Sequence, residues 1–235
     1  MTTREPISSV IFDVGGVIAD WNPHYLYRQL IPDPSERERF LTEVCTNEWN
    51  AHQDRGRPFE EAVAELVTRH PEHRDLIEAF WRQWSKMLGD PIPGVADIVT
   101  ELHDRRTPLY GITNWSAETY PIAVRKHPEL TLFADTVISG EVQMSKPDPE
   151  IFHYSLKRFE ITPEQTVFID DNPDNIAAAE ALGINGVHFT DAAALRAVLE
   201  RLDLLLSSHP TSRPTLRNHL VGIGMYCGAS NLSKR

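Results

Sequence analysis

The stretch SSVIFDVGGVIAD, residues 8–20, decides the fold predicted for this chain. An apolar run at residues 10–12 leads to a carboxylate, Asp13, and two glycines, Gly15 and Gly16, follow. A short apolar run bounded by turn residues is typical of a buried strand, and adjacent glycines allow the backbone to approach another group closely. We therefore predict a strand that places Asp13 at the end of a sheet.

The composition bounds the class of protein before any motif is considered. The 235 residues are enough for one large domain, or for a core with a small second domain. The longest apolar runs fall far short of the ~18 residues that a membrane span needs, and the start, MTTREPISSV, lacks the apolar segment of a signal peptide. Two cysteines without metal-binding spacing suit a reducing compartment. We therefore expect a cytoplasmic protein that does not bind a membrane.

The charge distribution limits the partners. A net charge of −11 disfavours general binding to nucleic acid, because like charges repel. Residues 207–235 hold four Lys and Arg and no Asp or Glu, and they show no sustained periodicity. We predict that this basic tail is disordered. A small anionic substrate would need a local positive site, helped by a bound cation, inside an acidic protein.

After Pro91 the pattern alternates between helices and strands. Strands are predicted at residues 108–113, 136–139, 166–169 and 186–189, and helices at 95–103, 117–127, 148–159, 172–183 and 195–202. Such alternation implies a mostly parallel sheet with right-handed crossovers. With the first strand, at residues 9–14, it predicts an α/β core, a Rossmann-like parallel sheet flanked by helices, formed by residues 1–20 and 91–206.

The sequence pattern of residues 21–90 differs from that of the core and is typical of helices. We predict that these residues form a small helical cap domain inserted after the first strand. Apolar residues recur there at helical spacing, above all in the stripe from Ile77 to Leu88. Four of the five tryptophans also lie in this segment, so it can hold a small core of its own.

The residue types that carry chemistry share one position: each follows the carboxyl end of a predicted strand, directly or after a short loop. In open parallel sheets, ligands bind outside these strand ends. The shared placement therefore predicts a single site. Its members are Asp13, Thr113, Asn114, Lys146, Asp170 and Asp171.

The carboxylates of this site suit a metal. Asp13 is a candidate nucleophile or metal ligand, although a lone aspartate at a strand end is more often a cap. Asp170 and Asp171 are adjacent and repel each other unless a cation lies near, and Mg²⁺ prefers a few carboxylates, waters and a phosphate oxygen. Capping of the next helix by Asp171 or Asn172 is the plainer alternative, but it does not explain both acids.

Thr113, Asn114 and Lys146 suit an anionic ligand. The Thr113 hydroxyl and the adjacent backbone N–H groups can hold phosphate oxygens, or this pair can cap the helix predicted near Ala117. Lys146 either lies exposed in its loop, or it neutralises charge on a phosphoryl group or pairs with Asp13.

A resemblance to a known family rests on four blocks: FDVGGVI, ITNWS, SGEVQMSKPDP and FIDDNPDNIAAAEALGI. In order, spacing and strand context they resemble the four motifs of the haloacid-dehalogenase (HAD) superfamily of hydrolases, across residues 8–206. The insert at 21–90 resembles that family's type-one cap. The opening block and the Asp-Asp pair are most similar to the sugar-phosphatase and epoxide-hydrolase-associated phosphatase branches.

The resemblance implies a Mg²⁺-dependent phosphatase. Asp13 would attack phosphorus in line and form an aspartyl-phosphate, which water then hydrolyses. Mg²⁺ would be bound by Asp13, the backbone carbonyl of Gly15 and Asp171, with Asp170 beside it.

The same resemblance implies a small phosphorylated metabolite as the substrate. Thr113, the Asn114 backbone and Lys146 would hold its phosphoryl oxygens, so that Asp13, Thr113 and Lys146 would be the catalytic residues. Positioning and charge neutralisation account for most of the catalysis in phosphoryl transfer.

One position departs from the family pattern. Many phosphatases of the family carry a second aspartate two residues after the nucleophile, which protonates the leaving oxygen and later activates water; Gly15 stands there instead. General acid–base catalysis is typically worth ~10²–10⁴-fold in rate. Either the leaving group is already good, as in an anomeric sugar phosphate, or the cap supplies the acid, or the protein acts mainly by binding. His24, His52 and Asp54 are the candidates for a general acid supplied by the cap domain.

The glycine also leaves a second enzyme class open. The family's haloacid dehalogenases lack that aspartate too, and they displace halide from carbon without a metal. Their fourth motif lacks the Asp170-Asp171 pair, so this pair favours the Mg²⁺ phosphatase over a metal-independent 2-haloacid dehalogenase. A catalytically weak protein that binds a phosphorylated metabolite is the third alternative.

Overall fold

The strand β1 (Ser9–Phe12) lies at the centre of the main sheet, and all four of its residues are buried. The structure is a computed structural model that describes residues 6–206. The tail that we predict to be disordered lies outside these described residues. The other strands are β2 (Ala19–Trp21), β3 (Leu88–Pro91), β4 (Leu109–Thr113), β5 (Asp135–Ile138), β6 (Thr166–Asp170) and β7 (Asn185–His188).

The main sheet consists of five parallel strands in the order β5-β4-β1-β6-β7. Phe12 pairs with Gly111 in β4 and with Ile169 in β6, so these strands end at the same edge. The prediction of a Rossmann-like α/β fold is confirmed. β1 is shorter than the predicted strand, because the carbonyl of Val14 already accepts a turn hydrogen bond from Ala19 N at 2.8 Å.

Helices alternate with the strands of this sheet, as the sequence pattern predicts. The α-helices are α1 (His24–Leu30), α2 (Pro34–Glu43), α3 (Asn47–Gln53), α4 (Phe59–Arg69), α5 (Arg74–Arg82), α6 (Val95–Asp104), α7 (Tyr120–Lys126), α8 (Ser139–Val142), α9 (Pro149–Phe159), α10 (Pro173–Ala181) and α11 (Ala192–Arg201). Among residues 6–206, no helix combines the length and the apolar character that crossing a bilayer requires.

Successive residues of β1 point to opposite faces of the sheet and therefore enter two different cores. Val10 and Phe12 lie in the larger core, which includes residues of α6 and α11 and continues into the segment between β2 and β3. Ile11 lies in the smaller core with residues of α9 and α10. Because both faces are covered, the strands are nearly continuous apolar runs.

Two helices begin at predicted caps that border the candidate site. Asp148 accepts a hydrogen bond from Glu150 N at 2.9 Å at the start of α9. Asn172 accepts one from Asp174 N at 2.9 Å at the start of α10. Each cap is followed by a proline at the first helical position, where its missing N–H costs nothing. The loops that precede these helices are therefore held at fixed points.

The segment between β2 and β3 contains α1 to α5. We predict helices throughout residues 21–90, but the two ends of this segment form strands instead. Trp21 pairs antiparallel with Leu88, and Ala19 with Pro91. The stripe predicted as one helix breaks after Arg82, and Trp84–Met87 form a 3-10 turn before β3. Strand pairing at the ends of the segment overrides the helical period of the sequence. That residues 21–90 form a separate cap domain stays a prediction.

Phe80 is the centre of an aromatic cluster in this helical insert. It is 1% exposed, and its ring centroid lies 5.0 Å from that of Trp49, 6.3 Å from that of Phe59 and 6.4 Å from that of Tyr27. Aromatic pairs at these distances add to the free energy gained from burial alone. The insert therefore packs around one side chain from α5.

We expect Phe80→Ala to lower the free energy of unfolding by ~3–5 kcal/mol, since it removes a fully buried ring and leaves a cavity. Urea denaturation followed by circular dichroism measures this loss. The matched control is Leu30→Ala, because Leu30 lies in the same insert but is 36% exposed. A loss for Phe80→Ala no larger than that for the control would contradict the central role of this ring.

Candidate active site

Asp13 stands at the carboxyl end of β1 and is 8% exposed. Its backbone N–H donates to Ile169 O at 2.8 Å, which extends the pairing with β6 by one residue. Its Oδ1 accepts a hydrogen bond from Val14 N at 2.6 Å, and its Oδ2 lies 2.9 Å from Lys146 Nζ. The carboxylate is therefore oriented by groups on both sides.

Lys146 is buried, so the alternative of an exposed lysine is wrong. Its Nζ lies 2.9 Å from Asp13 Oδ2 and 2.7 Å from Asp170 Oδ2. The side chain of Asn114 holds the lysine backbone, because Nδ2 donates to Lys146 O at 2.9 Å and Oδ1 accepts from Lys146 N at 2.9 Å. The lysine is thus tied to the ends of β1, β4 and β6.

Asp170 is fully buried and has protein donors on both oxygens. Oδ1 accepts from Asn172 N at 2.8 Å and from Asn175 Nδ2 at 3.0 Å, and Oδ2 accepts from Lys146 Nζ at 2.7 Å. Asp171 is the exposed member of the pair. One oxygen from each of Asp13, Asp170 and Asp171 lies within 4.8 Å of the others.

The electrostatics of this group favour a cation. The pKa of Asp13 is raised to about 7, because burial and the charge of Asp170 raise it by more than Lys146 lowers it. Burial, and then the charge of Asp170, also raise the pKa of Asp171. Three carboxylates against one ammonium leave a formal charge of −2. A divalent cation would relieve the repulsion, and oxygen ligands of this kind fit Mg²⁺.

Thr113 presents a buried hydroxyl at the end of β4. It is 1% exposed, and Oγ1 has no hydrogen-bond partner among the described residues. An unpaired buried hydroxyl costs ~1–3 kcal/mol, so a ligand oxygen is the expected partner. The alternative that Thr113 or Asn114 caps the next helix is wrong, since α7 begins at Tyr120 and follows Thr119.

The two glycines after Asp13 differ in what surrounds them. Gly16 has φ +76°, and a Cβ there would lie 2.2 Å from Asp171 Oδ2. The Asp171 carboxylate therefore occupies the space that a side chain at position 16 would need. A Cβ at Gly15 would meet only the ring of Trp115, at 3.5 Å.

A cavity of about 110 Å³ opens beside Gly15, between the strand ends and the helical insert. Its lining consists of Gly15, Trp21, Asn50, Asp54, Trp84, Asn114 and Trp115. Of the three cap candidates for the general acid, this lining includes Asp54. His24 is not part of this lining, and its Nε2 lies 3.7 Å from Glu38 Oε2. His52 is exposed on α3.

Some residues of this site escape the sequence analysis. Asn175 donates to both oxygens of Asp170, at 3.0 and 3.1 Å, and Asn50 donates to Asp54 Oδ2 at 3.0 Å. Asn175 had a detectable signal, because it lies in the first turn of α10, directly after the Asp-Asp pair. Asn50 had none, since its importance depends on how the insert packs against the sheet.

The chain belongs to the haloacid dehalogenase-like hydrolases. The model of that family matches residues 7–183, which include every residue of the site described above. The resemblance of the four sequence blocks is thereby confirmed, and the chain is a member of a family of hydrolases.

Several known proteins are similar over most of the chain. The sesquiterpene phosphatase astK of Aspergillus oryzae is 29% identical over 195 residues, which are 83% of this chain and 95% of that protein. A phosphorylated carbohydrates phosphatase of Thermotoga maritima is 24% identical, over 77% of this chain and 84% of that protein. A HAD-family enzyme of Bacteroides thetaiotaomicron, solved with magnesium and inorganic phosphate, has the same fold, with a TM-score of 0.60 at 22% identity over 79% of this chain and 95% of that one.

We expect Gly16→Ala to weaken Mg²⁺ binding by about 10–100-fold, the usual cost of disturbing the surroundings of a metal ligand, a role that we propose for Asp171. The added methyl would strain the backbone at φ +76° and push the Asp171 carboxylate away. Isothermal titration with MgCl₂ measures the affinity. Gly15→Ala is the matched comparison, because its Cβ makes an ordinary contact with Trp115, and equal Mg²⁺ affinities in the two variants would refute the expectation.

Proposed function

We propose that this protein is a Mg²⁺-dependent phosphatase that hydrolyses a small phosphorylated metabolite through an aspartyl-phosphate on Asp13. The observation that carries the proposal is the buried carboxylate of Asp13 beside Lys146 Nζ, at 2.9 Å, with the unpaired hydroxyl of Thr113 at the neighbouring strand end. A nucleophile, a cation and a free donor are the groups that phosphoryl transfer needs.

Mg²⁺ would be held by Asp13, Asp171 and the backbone carbonyl of Gly15, with Asp170 beside it. When bound, the ion would neutralise charge on the phosphoryl oxygens and on the carboxylates. Asp170 acts mainly as a support in this arrangement, because Lys146, Asn172 and Asn175 already occupy its oxygens.

The side chains of the site divide the reaction into two steps. An oxygen of Asp13 attacks phosphorus, the bond from phosphorus to the leaving oxygen breaks, and its electron pair stays on that oxygen. Water then attacks the aspartyl-phosphate, and inorganic phosphate leaves with the carboxylate restored. Lys146 and Thr113, with the backbone of Asn114, hold the three other oxygens as charge develops on them.

The cavity beside Gly15 bears on the substrate. Indole rings of Trp21, Trp84 and Trp115 form part of its lining, and such rings favour a flat apolar surface or the face of a sugar. The names of two relatives, a sesquiterpene phosphatase and a phosphorylated carbohydrates phosphatase, fit these two kinds of substrate. We place the reaction in the cytoplasm, on the cysteine usage.

The purified protein is expected to hydrolyse 4-nitrophenyl phosphate, and EDTA should abolish this activity until Mg²⁺ is restored. Asp13→Asn removes the nucleophile, so its rate should fall by several orders of magnitude, as measured by release of 4-nitrophenolate. Asp97→Asn is the control, because Asp97 is an exposed aspartate on α6.

Full activity in EDTA would contradict the metal dependence. Halide release from 2-chloropropionate, without phosphatase activity, would instead favour the metal-independent 2-haloacid dehalogenase. Tight binding of phosphorylated metabolites with no turnover over a broad panel would favour the binding protein.

A further inference from the structure

The loop that follows Asp13 supplies no acid at position 15. Gly15 carries no side chain, and the Trp115 ring lies 3.5 Å from where its Cβ would be. A group that serves the leaving oxygen must therefore reach the cavity from elsewhere. Asp54 is the one carboxylate in the lining of this cavity, which it shares with Gly15 and Asn114.

Asp54 belongs to the helical insert, but the loop that carries it is hydrogen-bonded to the core. The Ser139 hydroxyl donates to the backbone carbonyl of Asp54. Arg55 Nε donates to Ser145 Oγ at 3.2 Å. Such fixed contacts with a rigid scaffold are what a precisely placed catalytic group requires.

Two further contacts complete this attachment. Phe59 N donates to Glu118 Oε1 at 2.8 Å. Gly56 has φ +101° and packs so closely that a Cβ would lie 3.0 Å from Gly140 O. The segment from residue 54 to residue 59 is thus joined to the core by three hydrogen bonds and one close backbone approach.

The surroundings of the Asp54 carboxyl suit proton transfer. Asn50 Nδ2 donates to Oδ2 at 3.0 Å and orients the group. The pKa of Asp54 is raised to about 7, because burial raises it by more than the backbone N–H of Ser116 and the charge of Arg55 lower it. Near neutral pH the group is therefore present in both protonation states, which a residue that first gives and then takes a proton must be.

We propose that Asp54 is the general acid and base of this enzyme, supplied by the helical insert in place of the carboxylate that Gly15 lacks. The assignment rests on the phosphatase function proposed above. His24 and His52 do not compete for the role, since neither is part of the cavity lining.

The proton balance closes over the two steps. As the bond from phosphorus to the leaving oxygen breaks, protonated Asp54 gives its proton to that oxygen, and the alcohol departs. The Asp54 carboxylate then takes a proton from the water whose oxygen attacks the aspartyl-phosphate. The bond between phosphorus and Asp13 breaks, and the phosphate leaves with Asp13 ionised and Asp54 protonated again.

The test compares Asp54→Asn with the wild type on three substrates of increasing leaving-group basicity: 4-nitrophenyl, phenyl and benzyl phosphate. The measured quantity is kcat/KM, which reports the step in which the leaving group departs. We expect a loss of about 10²–10⁴-fold on benzyl phosphate and a much smaller loss on 4-nitrophenyl phosphate, whose leaving group needs no proton. Glu48→Gln, an exposed carboxylate of α3, is the matched control and should retain the wild-type profile.

A second readout separates catalysis from a structural role. In Asp54→Asn, 4-nitrophenolate should appear as a burst of one equivalent per site, because the aspartyl-phosphate forms quickly but its hydrolysis lacks a base. Acid quenching with ³²P-labelled substrate should then trap the label on the protein. Thermal unfolding of both variants shows that they are folded, and Asp54→Glu, which keeps the carboxyl, should recover part of the rate on benzyl phosphate.

An equal loss of kcat/KM on all three substrates, without a burst, would overturn the assignment while leaving the phosphatase function intact. A rate of Asp54→Asn equal to that of the wild type on benzyl phosphate would overturn it as well. Absence of hydrolysis by the wild type on every substrate would overturn the proposed function itself, and the role of Asp54 with it.

Discussion

The buried ion pairs of Lys146 with Asp13 and Asp170, at 2.9 and 2.7 Å, constrain the rest of the candidate active site. Buried charges are expensive unless they are paired and hydrogen-bonded. Each partner here is supported by a different part of the fold: Asp13 by β1, Asp170 by α10, and Lys146 by the side chain of Asn114 after β4. The parallel sheet brings these segments, which are distant in the sequence, to one edge.

The sequence predicts this sheet well, because the signals are local. A short run of apolar residues that ends in a carboxylate, as at Asp13 and Asp170, is a local signal of a strand end, and parallel strand ends meet at one edge. The β2–β3 pair was missed, since Leu88 continues the helical stripe and nothing local reveals its pairing with Trp21. The choice of Asp54 over His24 as a cavity residue was equally out of reach, because it depends on contacts with segments far away in the chain.

The sheet edge and the helical insert contribute different groups to the candidate site. In the mechanism that we propose, the sheet edge supplies the groups that meet phosphorus, and the places of these groups follow from strand register. The insert supplies indole rings and Asp54, which border the space that the rest of the substrate would occupy. Since the loop after α3 is hydrogen-bonded to Ser139 and Ser145, this part of the insert lies against the core.

The open space beside Gly15 has a consequence for how the site could be redesigned. A Cβ at position 15 would make an ordinary contact with the indole of Trp115 at 3.5 Å, so the backbone there can accept a side chain. Trp115 is itself 5% exposed, and removing such a buried indole typically costs ~3–5 kcal/mol. The indole is therefore a costly wall to remove, and any side chain at position 15 would have to share the cavity of about 110 Å³ that Gly15 and Trp115 both line. Engineering an acid at position 15 would thus exchange room in the cavity for proton supply.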